Sequence, residues 1–176
     1  MSRRIIIAYW LIPAEPARSF FQNLIKDLAC RYEAPLFEPH VTIHVGANRA
    51  NAAEKALSKA AGKCQPINLK ALEIDQSDEF IKTLFVQLAL NTQLRQLNEN
   101  IRNAAQDSSR YELKPHLSLL YKTMPPAVRR ELVAAITVPY SEVAFDAIKA
   151  VRCVSPTRTR ADVEAWRVVA STELSG

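Results

Sequence analysis

The stretch Pro39-His40-Val41-Thr42-Ile43 returns later in the chain as Pro115-His116-Leu117-Ser118-Leu119. Each copy places a histidine, an aliphatic residue, a hydroxyl residue and a second aliphatic residue in a row, which predicts a short β-strand. Successive side chains of a strand point to opposite faces, so the imidazole and the hydroxyl of each copy share one face. Two such strands brought together would surround one ligand with two imidazoles and two hydroxyls, an arrangement that suits chemistry at a phosphate.

The rest of the chain follows the same spacing. The two histidines are 76 residues apart, and this offset also relates the other elements of the two halves. It maps Ile5 to Ile81, the helical pattern of 15–31 to 91–107, that of 51–61 to 127–137, and Ile67 to Val143. A duplicated β-α-β-α-β unit explains one offset across five elements. Chance similarity between two α+β halves is the alternative.

These patterns predict an α+β protein with antiparallel sheets around a central cleft. We expect one two-lobed domain over residues 1–176, with the repeats at about 5–74 and 81–153 and a closing strand over 163–170 that carries Trp166. Apolar periodicity predicts the other strands at 5–11, 40–45, 67–74, 80–90, 116–121 and 143–153, and helices at 15–31, 51–61, 92–105 and 126–136. Thr92 is expected to cap its helix.

Composition limits the class of protein. An apolar content of 48% is that of a globular protein, and no apolar run is long enough to span a membrane. The start of the chain lacks the features of a signal peptide, so a cytoplasmic location is expected. A monomer is also expected. The net charge of +5 predicts a soluble, mildly basic surface, and attraction to an anionic substrate is a second interpretation. The basic residues are scattered, so the charge does not indicate binding of a long nucleic acid. Cys30, Cys64 and Cys153 form no zinc pattern, and the sequence leaves open whether any two of them form a disulfide.

The paired histidines predict general acid–base catalysis. Hydrolysis of a phosphodiester needs a base for the water, an acid for the departing oxygen, and donors for the non-bridging oxygens. His40 and His116 can supply the first two, because imidazole titrates near neutral pH, while Thr42 and Ser118 can donate to the phosphate. The sequence does not say which histidine is the base. It contains no carboxylate cluster for a metal, so neither metal nor other cofactor is expected.

His44, the third histidine, lies on the same face as His40 and Thr42 by strand alternation. Its counterpart under the offset is Leu120, so the symmetry does not support a catalytic role. We interpret His44 as structural or as part of the edge of the cleft.

The two motifs together resemble those of the 2H phosphoesterase superfamily, and within it the cyclic nucleotide phosphodiesterase family first known from plants. The likeness covers nearly the whole chain and includes Tyr9-Trp10-Leu11-Ile12-Pro13, the extension of the second motif through Leu120-Tyr121, and the region of Trp166. The resemblance implies the LigT-like fold, two α+β lobes around a water-filled groove. It also implies a metal-independent hydrolase that opens nucleoside 2',3'-cyclic phosphates to 2'-phosphates and ADP-ribose 1'',2''-cyclic phosphate to the 1''-phosphate.

The resemblance also assigns residues. It implies that His40 and His116 are the acid–base pair and that Thr42, Ser118 and Tyr121 bind the phosphate. Strand alternation alone would point Tyr121 away from the site, unless a bulge or twist redirects it. Trp10, Phe80 and Phe85 are candidates for stacking on a base, although each taken singly is also suited to core packing.

Two other functions remain open from the sequence. The first is an RNA 2',3'-cyclic phosphodiesterase related to bacterial 2'-5' RNA ligases, which would act on RNA ends; that branch has arginine where this chain has Tyr121. The second is a non-catalytic nucleotide-binding module, which would explain the hydroxyls but not the symmetric histidines. Turnover of 2',3'-cyclic AMP in the presence of EDTA distinguishes the module from an enzyme. The physiological substrate and the oligomeric state are not determined by the sequence.

Overall fold

Strands and helices alternate along the chain in a computed structural model that describes residues 2–175. The strands are β1 (Arg4–Pro13), β2 (Val41–Ala47), β3 (Ile67–Gln76), β4 (Leu84–Leu88), β5 (His116–Leu120), β6 (Glu142–Ser155) and β7 (Arg167–Glu173). The helices are α1 (Ala17–Tyr32), α2 (Ala50–Ala61), α3 (Thr92–Ala104), α4 (Pro126–Ala135) and α5 (Arg160–Glu164). The predicted mixed α and β class with antiparallel strand pairing is confirmed.

Three local expectations were wrong. The strand predicted from Phe80 begins only at Leu84, because Phe80–Lys82 form one 3-10 turn. Helix α3 is capped by Asn91, whose side chain accepts the Leu94 N–H, and not by Thr92. The segment predicted as a closing strand over 163–170 begins instead with helix α5, where Thr159 and Asp162 form a capping box, and β7 follows only after Trp166.

Six of the strands join in a closed antiparallel ring in the order β1-β2-β5-β4-β3-β6, with β6 pairing back to β1, and β7 adds to β6. Strand β3 pairs with β4 of the second half, and β6 pairs with β1 of the first half. Each half therefore gives its third strand to the other. This pairing pattern is unchanged when the two halves are exchanged by the 76-residue offset.

The two faces of β1 lie in different surroundings. Ile7, Tyr9 and Leu11 pack into the large core that the helices cover, to which α1 contributes Phe21 and α3 contributes Leu97. Ile6, Ala8 and Trp10 lie on the other face in a smaller apolar cluster with Val151 and Cys153. Helices α1–α4 therefore cover one face of the strands, and the second face is left to form a cavity.

Both motif strands are irregular at the same place. On β2, Thr42 pairs with Trp10 and His44 with Tyr9, so Ile43 has no partner on β1. On β5, Ser118 pairs with Phe85 and Leu120 with Leu84, so Leu119 has no partner on β4. The two unpaired positions are again 76 residues apart. An extra residue in a strand shifts the alternation of the side chains that follow it.

Within residues 2–175, no helix has both the length and the apolar composition that crossing a membrane requires. Cys30, Cys64 and Cys153 are all free thiols, so the disulfide left open by the sequence is not formed. Cys30 is exposed and the other two are buried.

Candidate active site

A cavity of about 450 Å³ lies on the face of the strands that the helices do not cover. This is within the size range of small-molecule sites in proteins. The floor is apolar and includes Ile6 and Ala8 from β1. The residues predicted from the two motifs and found together in its wall are His40, Thr42, His116, Ser118 and Tyr121. The structure thus brings all five into one cavity.

The two motif strands are direct neighbours in the ring of strands. Strands β2 and β5 pair antiparallel at a single position, Val41 with Leu117. Continuing this register places His40 beside Ser118 and Thr42 beside His116, on the face opposite to Val41 and Leu117. Neighbouring residues across such a pair have Cβ atoms about 5 Å apart. Each histidine therefore lies next to the hydroxyl residue of the other copy.

Both imidazoles are held in the same way. The Nδ1 atom of His40 lies 2.6 Å from the carbonyl oxygen of Glu38, and that of His116 lies 2.9 Å from the carbonyl oxygen of Lys114. A carbonyl only accepts hydrogen bonds, so each Nδ1 carries a hydrogen. This leaves Nε2 as the nitrogen that can exchange a proton with a ligand.

Burial sets the charge of the two histidines. It lowers the pKa of His40 to about 4, against a smaller opposing effect of the Glu38 carbonyl, and nearby His116 lowers it further. Burial also lowers the pKa of His116, where the Lys114 carbonyl and Glu79 act in the opposite direction and Lys82 adds to the lowering. Both pKa values therefore lie below 7, and the neutral imidazole is the main form of each histidine at pH 7 in the free protein. A bound anion would raise both pKa values, because it favours imidazolium.

The two hydroxyl residues differ in their bonding. Ser118 is buried, and its hydroxyl donates to the carbonyl of Ile81 at 3.0 Å. The side chain of Thr42 has no hydrogen-bond partner among residues 2–175, so its hydroxyl can donate directly to a ligand. Ser118 can accept a hydrogen bond as it stands, and must turn away from Ile81 to donate to a phosphate.

The strand bulge explains why Tyr121 faces the cavity. With Leu119 as the extra residue, Ser118 and Tyr121 point to the same side, and the position of Tyr121 in the first copy is taken by Val45, which also lines the cavity. The Tyr121 ring stacks on Phe37 with centroids 3.8 Å apart. Burial raises the pKa of its phenol, which remains protonated and able to donate.

The corresponding bulge in the first copy corrects the expectation for His44. The extra residue Ile43 turns His44 away from His40 and into the core, where it is fully buried. Its Nε2 lies 3.4 Å from Asp107, and the Asp107 carboxylate also accepts the N–H of Ala47. A side chain at Gly46 would collide with that carboxylate, since an added Cβ would lie 1.6 Å from Oδ2. His44 is thus structural and does not line the cavity.

The three aromatic residues predicted to stack on a base lie in different surroundings. Trp10 lines the cavity, but one face of its ring is covered by the His40 imidazole, with centroids 3.7 Å apart and planes 11° apart. Phe80 is half-buried in the cavity wall near Tyr121. Phe85 does not line the cavity; it is buried with its ring edge-to-face against His116. Phe80 is thus the best placed of the three to stack on a base.

Sequence reasoning missed several other wall residues. Glu79 and Arg158 are the charged members of the wall within the described chain, and Trp166 contributes an indole N–H that is buried without a partner there. Arg158 follows the end of β6 in a loop fixed by Asp162, which accepts the Arg158 N–H at 2.9 Å. These residues carry no motif; Glu79 precedes the 3-10 turn at Phe80–Lys82, and Arg158 and Trp166 are brought to the cavity by the folding of the 155–166 segment. Among residues 2–175, no three His, Cys, Asp or Glu side chains converge as metal ligands would.

Known structures share this architecture over nearly its full length. LigT of Escherichia coli, solved with 3'-AMP, has a TM-score of 0.60 and 17% identity, with 97% of this chain and 98% of that one covered. TT0787 of Thermus thermophilus has a TM-score of 0.60 and 15% identity over the same shares of the two chains. This likeness shows that the chain has the fold predicted for a 2H phosphoesterase.

The family is shown by sequence. The family model "Cyclic phosphodiesterase-like protein" matches residues 5–174, and the chain belongs to that family. A curated relative, the cyclic phosphodiesterase of Arabidopsis thaliana, is 23% identical over 177 aligned residues, which cover 98% of this chain and 97% of the relative. The protein is therefore a phosphodiesterase, and its class is that of the hydrolases.

Proposed function

We propose that the protein hydrolyses nucleoside 2',3'-cyclic phosphates, ADP-ribose 1'',2''-cyclic phosphate, or both, to the monophosphate by two-histidine acid–base catalysis without a metal. The observation that carries this proposal is the symmetric pair of imidazoles in one cavity, each with Nδ1 bound to a backbone carbonyl and Nε2 available. LigT, a structural neighbour, has been solved with 3'-AMP, which supports a nucleotide-sized ligand.

The reaction can be written with the residues of the cavity. One neutral imidazole takes a proton from water through Nε2, and the water oxygen forms a bond to phosphorus. The bond from phosphorus to one ribose oxygen breaks, and the second histidine, as imidazolium, gives that oxygen a proton. Thr42, Ser118 and Tyr121 hold the non-bridging oxygens, whose charge grows in the transition state.

At pH 7 the imidazolium that this reaction needs is the minor form of both histidines in the free protein. Burial lowers both histidine pKa values, and nearby His116 lowers that of His40 further. The anionic phosphodiester supplies the missing stabilisation, because a negative charge beside an imidazole raises its pKa. Binding of the substrate therefore also prepares the general acid.

Arg158 supports a substrate that extends beyond the reacting phosphate. Trp10 lies beside His40, and Ile6, four residues along the same strand, lies about 13 Å away in the direction of the loop that carries Arg158. The Arg158 guanidinium makes no ion pair within the described chain. The pyrophosphate of ADP-ribose cyclic phosphate is a suitable partner for it, since guanidinium binds phosphate oxygens in pairs.

Steady-state kinetics on both cyclic phosphates, with and without excess EDTA, test the proposal. We expect turnover of at least one substrate that is unaffected by EDTA. We further expect Arg158→Ala to lower kcat/KM about tenfold or more for ADP-ribose 1'',2''-cyclic phosphate and less than about twofold for 2',3'-cyclic AMP. Arg160→Ala is the matched control, because Arg160 pairs with Glu164 outside the cavity wall. Activity that is lost with EDTA and returns with a divalent ion would contradict the metal-independent reaction.

A further inference from the structure

An ion-pair cluster lies directly behind His40. Both oxygens of the Glu38 carboxylate accept hydrogen bonds from Lys149 Nζ, at 2.7 and 2.8 Å. The Arg18 guanidinium also donates to this carboxylate, at 3.1 Å. Glu38 and Lys149 are both about four-fifths buried, with side-chain exposures of 20% and 19%. Lys149 is on β6, where it pairs with Trp10, the residue that stacks on His40. The cluster thus connects the segment before β2 to β6, the neighbour of the strand whose Trp10 stacks on the imidazole.

The backbone of Glu38 makes the contact to the histidine. Its carbonyl oxygen accepts the hydrogen bond from His40 Nδ1 at 2.6 Å. Residues 34–40 form neither helix nor strand, so regular backbone hydrogen bonds do not fix the direction of that carbonyl. Gln22 Nε2 donates to the neighbouring carbonyl of Phe37 at 3.2 Å. The bidentate Lys149 contact is made by the residue that carries the Glu38 carbonyl itself.

The second copy lacks this support. Lys114 stands 76 residues after Glu38, and its carbonyl accepts the hydrogen bond from His116 at 2.9 Å. The Lys114 side chain pairs only with Glu112 among the described residues, and both are exposed, at 66% and 78%. Such a surface pair contributes little to structure. The carbonyl is therefore anchored to the sheet in one copy and not in the other.

We propose that Glu38, held by Lys149 and Arg18, is a positioning residue that fixes the orientation and tautomer of His40. The proposal rests on the catalytic role given to His40 above, but the tautomer can be measured without any substrate. The alternative is that the cluster only stabilises the fold. In that case, loss of the cluster lowers the melting temperature and leaves the orientation and tautomer of the His40 imidazole unchanged.

Nitrogen NMR of the imidazole rings and steady-state kinetics test the proposal together. The chain has three histidines, so the ring signals of 15N-labelled protein can be assigned by substitution. In the wild type, His40 should show one neutral tautomer with hydrogen on Nδ1. In Glu38→Gln and Lys149→Met, we expect a mixture of tautomers and a kcat about tenfold lower, with KM changed less than about twofold. The double variant should be no worse than either single variant, because both remove the same anchor.

Glu112→Gln is the matched control, since it breaks the corresponding ion pair of the second copy. It should leave kcat and all three imidazole spectra unchanged. If Glu38→Gln fails to fold, Arg18→Ala is the milder variant and should shift the His40 tautomers in the same direction. A single His40 tautomer and full kcat in folded Glu38 and Lys149 variants would overturn the positioning role. Should no substrate be turned over at all, the spectra still decide the inference, while the proposed function fails separately.

Discussion

The two motif copies have one sequence pattern, one register and one bulge, yet they lie in different surroundings. His40 is 7% exposed, stacked on Trp10, and held by a residue that is anchored to β6. His116 is half-buried, with Phe85 at its edge and an unanchored lysine behind it. The two copies thus present imidazoles held through the same ring nitrogen, and the neighbouring elements pack against His40 more closely than against His116.

The largest expected effect comes from removing either imidazole. We expect His40→Ala and His116→Ala each to lower kcat by about 10²–10⁴, the usual size for loss of a general acid or base. The copies should differ in stability, because only His40 is tightly packed: His40→Ala should cost about 1–3 kcal/mol of unfolding free energy and His116→Ala less than about 1 kcal/mol. Kinetics on 2',3'-cyclic AMP and urea unfolding of both variants measure this. Wild-type turnover by either variant would falsify the acid–base pair.

The next largest expected effect is the change of kcat/KM with pH. The base must be neutral, so kcat/KM should fall below the lower pKa of the pair, and His40 has a pKa of about 4. The acid must be protonated, so kcat/KM should also fall about tenfold per pH unit above the higher pKa, which burial of His116 places below its usual 6.5. The maximum should therefore lie between about pH 4 and 6.5, and these limits belong to the coupled pair. The pKa values that limit kcat should be higher than those that limit kcat/KM, because the bound substrate raises the pKa of both histidines. A kcat/KM that climbs steadily to about pH 8 would leave only the base in place.

Removal of the Thr42 or Ser118 hydroxyl should have a smaller effect on kcat/KM, and the two losses should differ. Loss of a hydrogen bond to a charged group corresponds to about 1–3 kcal/mol, or roughly 5- to 150-fold in kcat/KM. We expect Thr42→Val to reach the upper part of this range, because the Thr42 hydroxyl has no competing partner in the described chain. Ser118→Ala should remain in the lower part, because Ser118 already donates to Ile81. Equal losses would mean that Ser118 turns freely toward the phosphate. No loss in either variant would place phosphate binding elsewhere.

The smallest effect is expected where the copies differ in sequence. Tyr121 and Val45 occupy equivalent positions after the bulges, and only Tyr121 can donate to a ligand. Tyr121→Phe keeps the stacking on Phe37 and should lower kcat/KM about 3- to 10-fold. Val45→Ala should change it less than about twofold. Comparable losses in the two variants would indicate that both positions act through shape alone.

Much of this site could be predicted because its signals are local. The alternation of His40, Val41 and Thr42, and its return at His116, is visible within five residues and predicts both the strand and the shared face. His44 could not be placed by the same rule, because a single unpaired residue, Ile43, reverses the alternation, and register is set by the neighbouring strand β1. Tyr121 was placed by resemblance and is explained by the corresponding bulge at Leu119.

The structural features that the sequence did not predict also depend on interactions that the local alternation does not reveal. Val163 to Ala170 contains enough apolar residues for a strand, but the capping box of Thr159 and Asp162 starts a helix that alternation does not reveal. Arg158 and Trp166, which line the cavity, lie just before and just after that helix. Glu38 is an ordinary charged residue in sequence, and its partner Lys149 is 111 positions away. Contacts at such separations depend on the closed ring and carry no short-range signal.

The exchange of third strands also determines when the protein can become structured during synthesis. Strand β1 is made first, but its partner β6 is completed only at Ser155, and the two pair along ten residues of β1. The chain up to Gln76 therefore contains no complete sheet, although it contains a complete repeat. A ribosome adding about 5–20 residues per second needs roughly 4–16 further seconds to make the missing strand. During that interval the edge of the apolar strand β1 that β6 will occupy has no partner, and an unpaired apolar edge is a site at which the growing chain can aggregate.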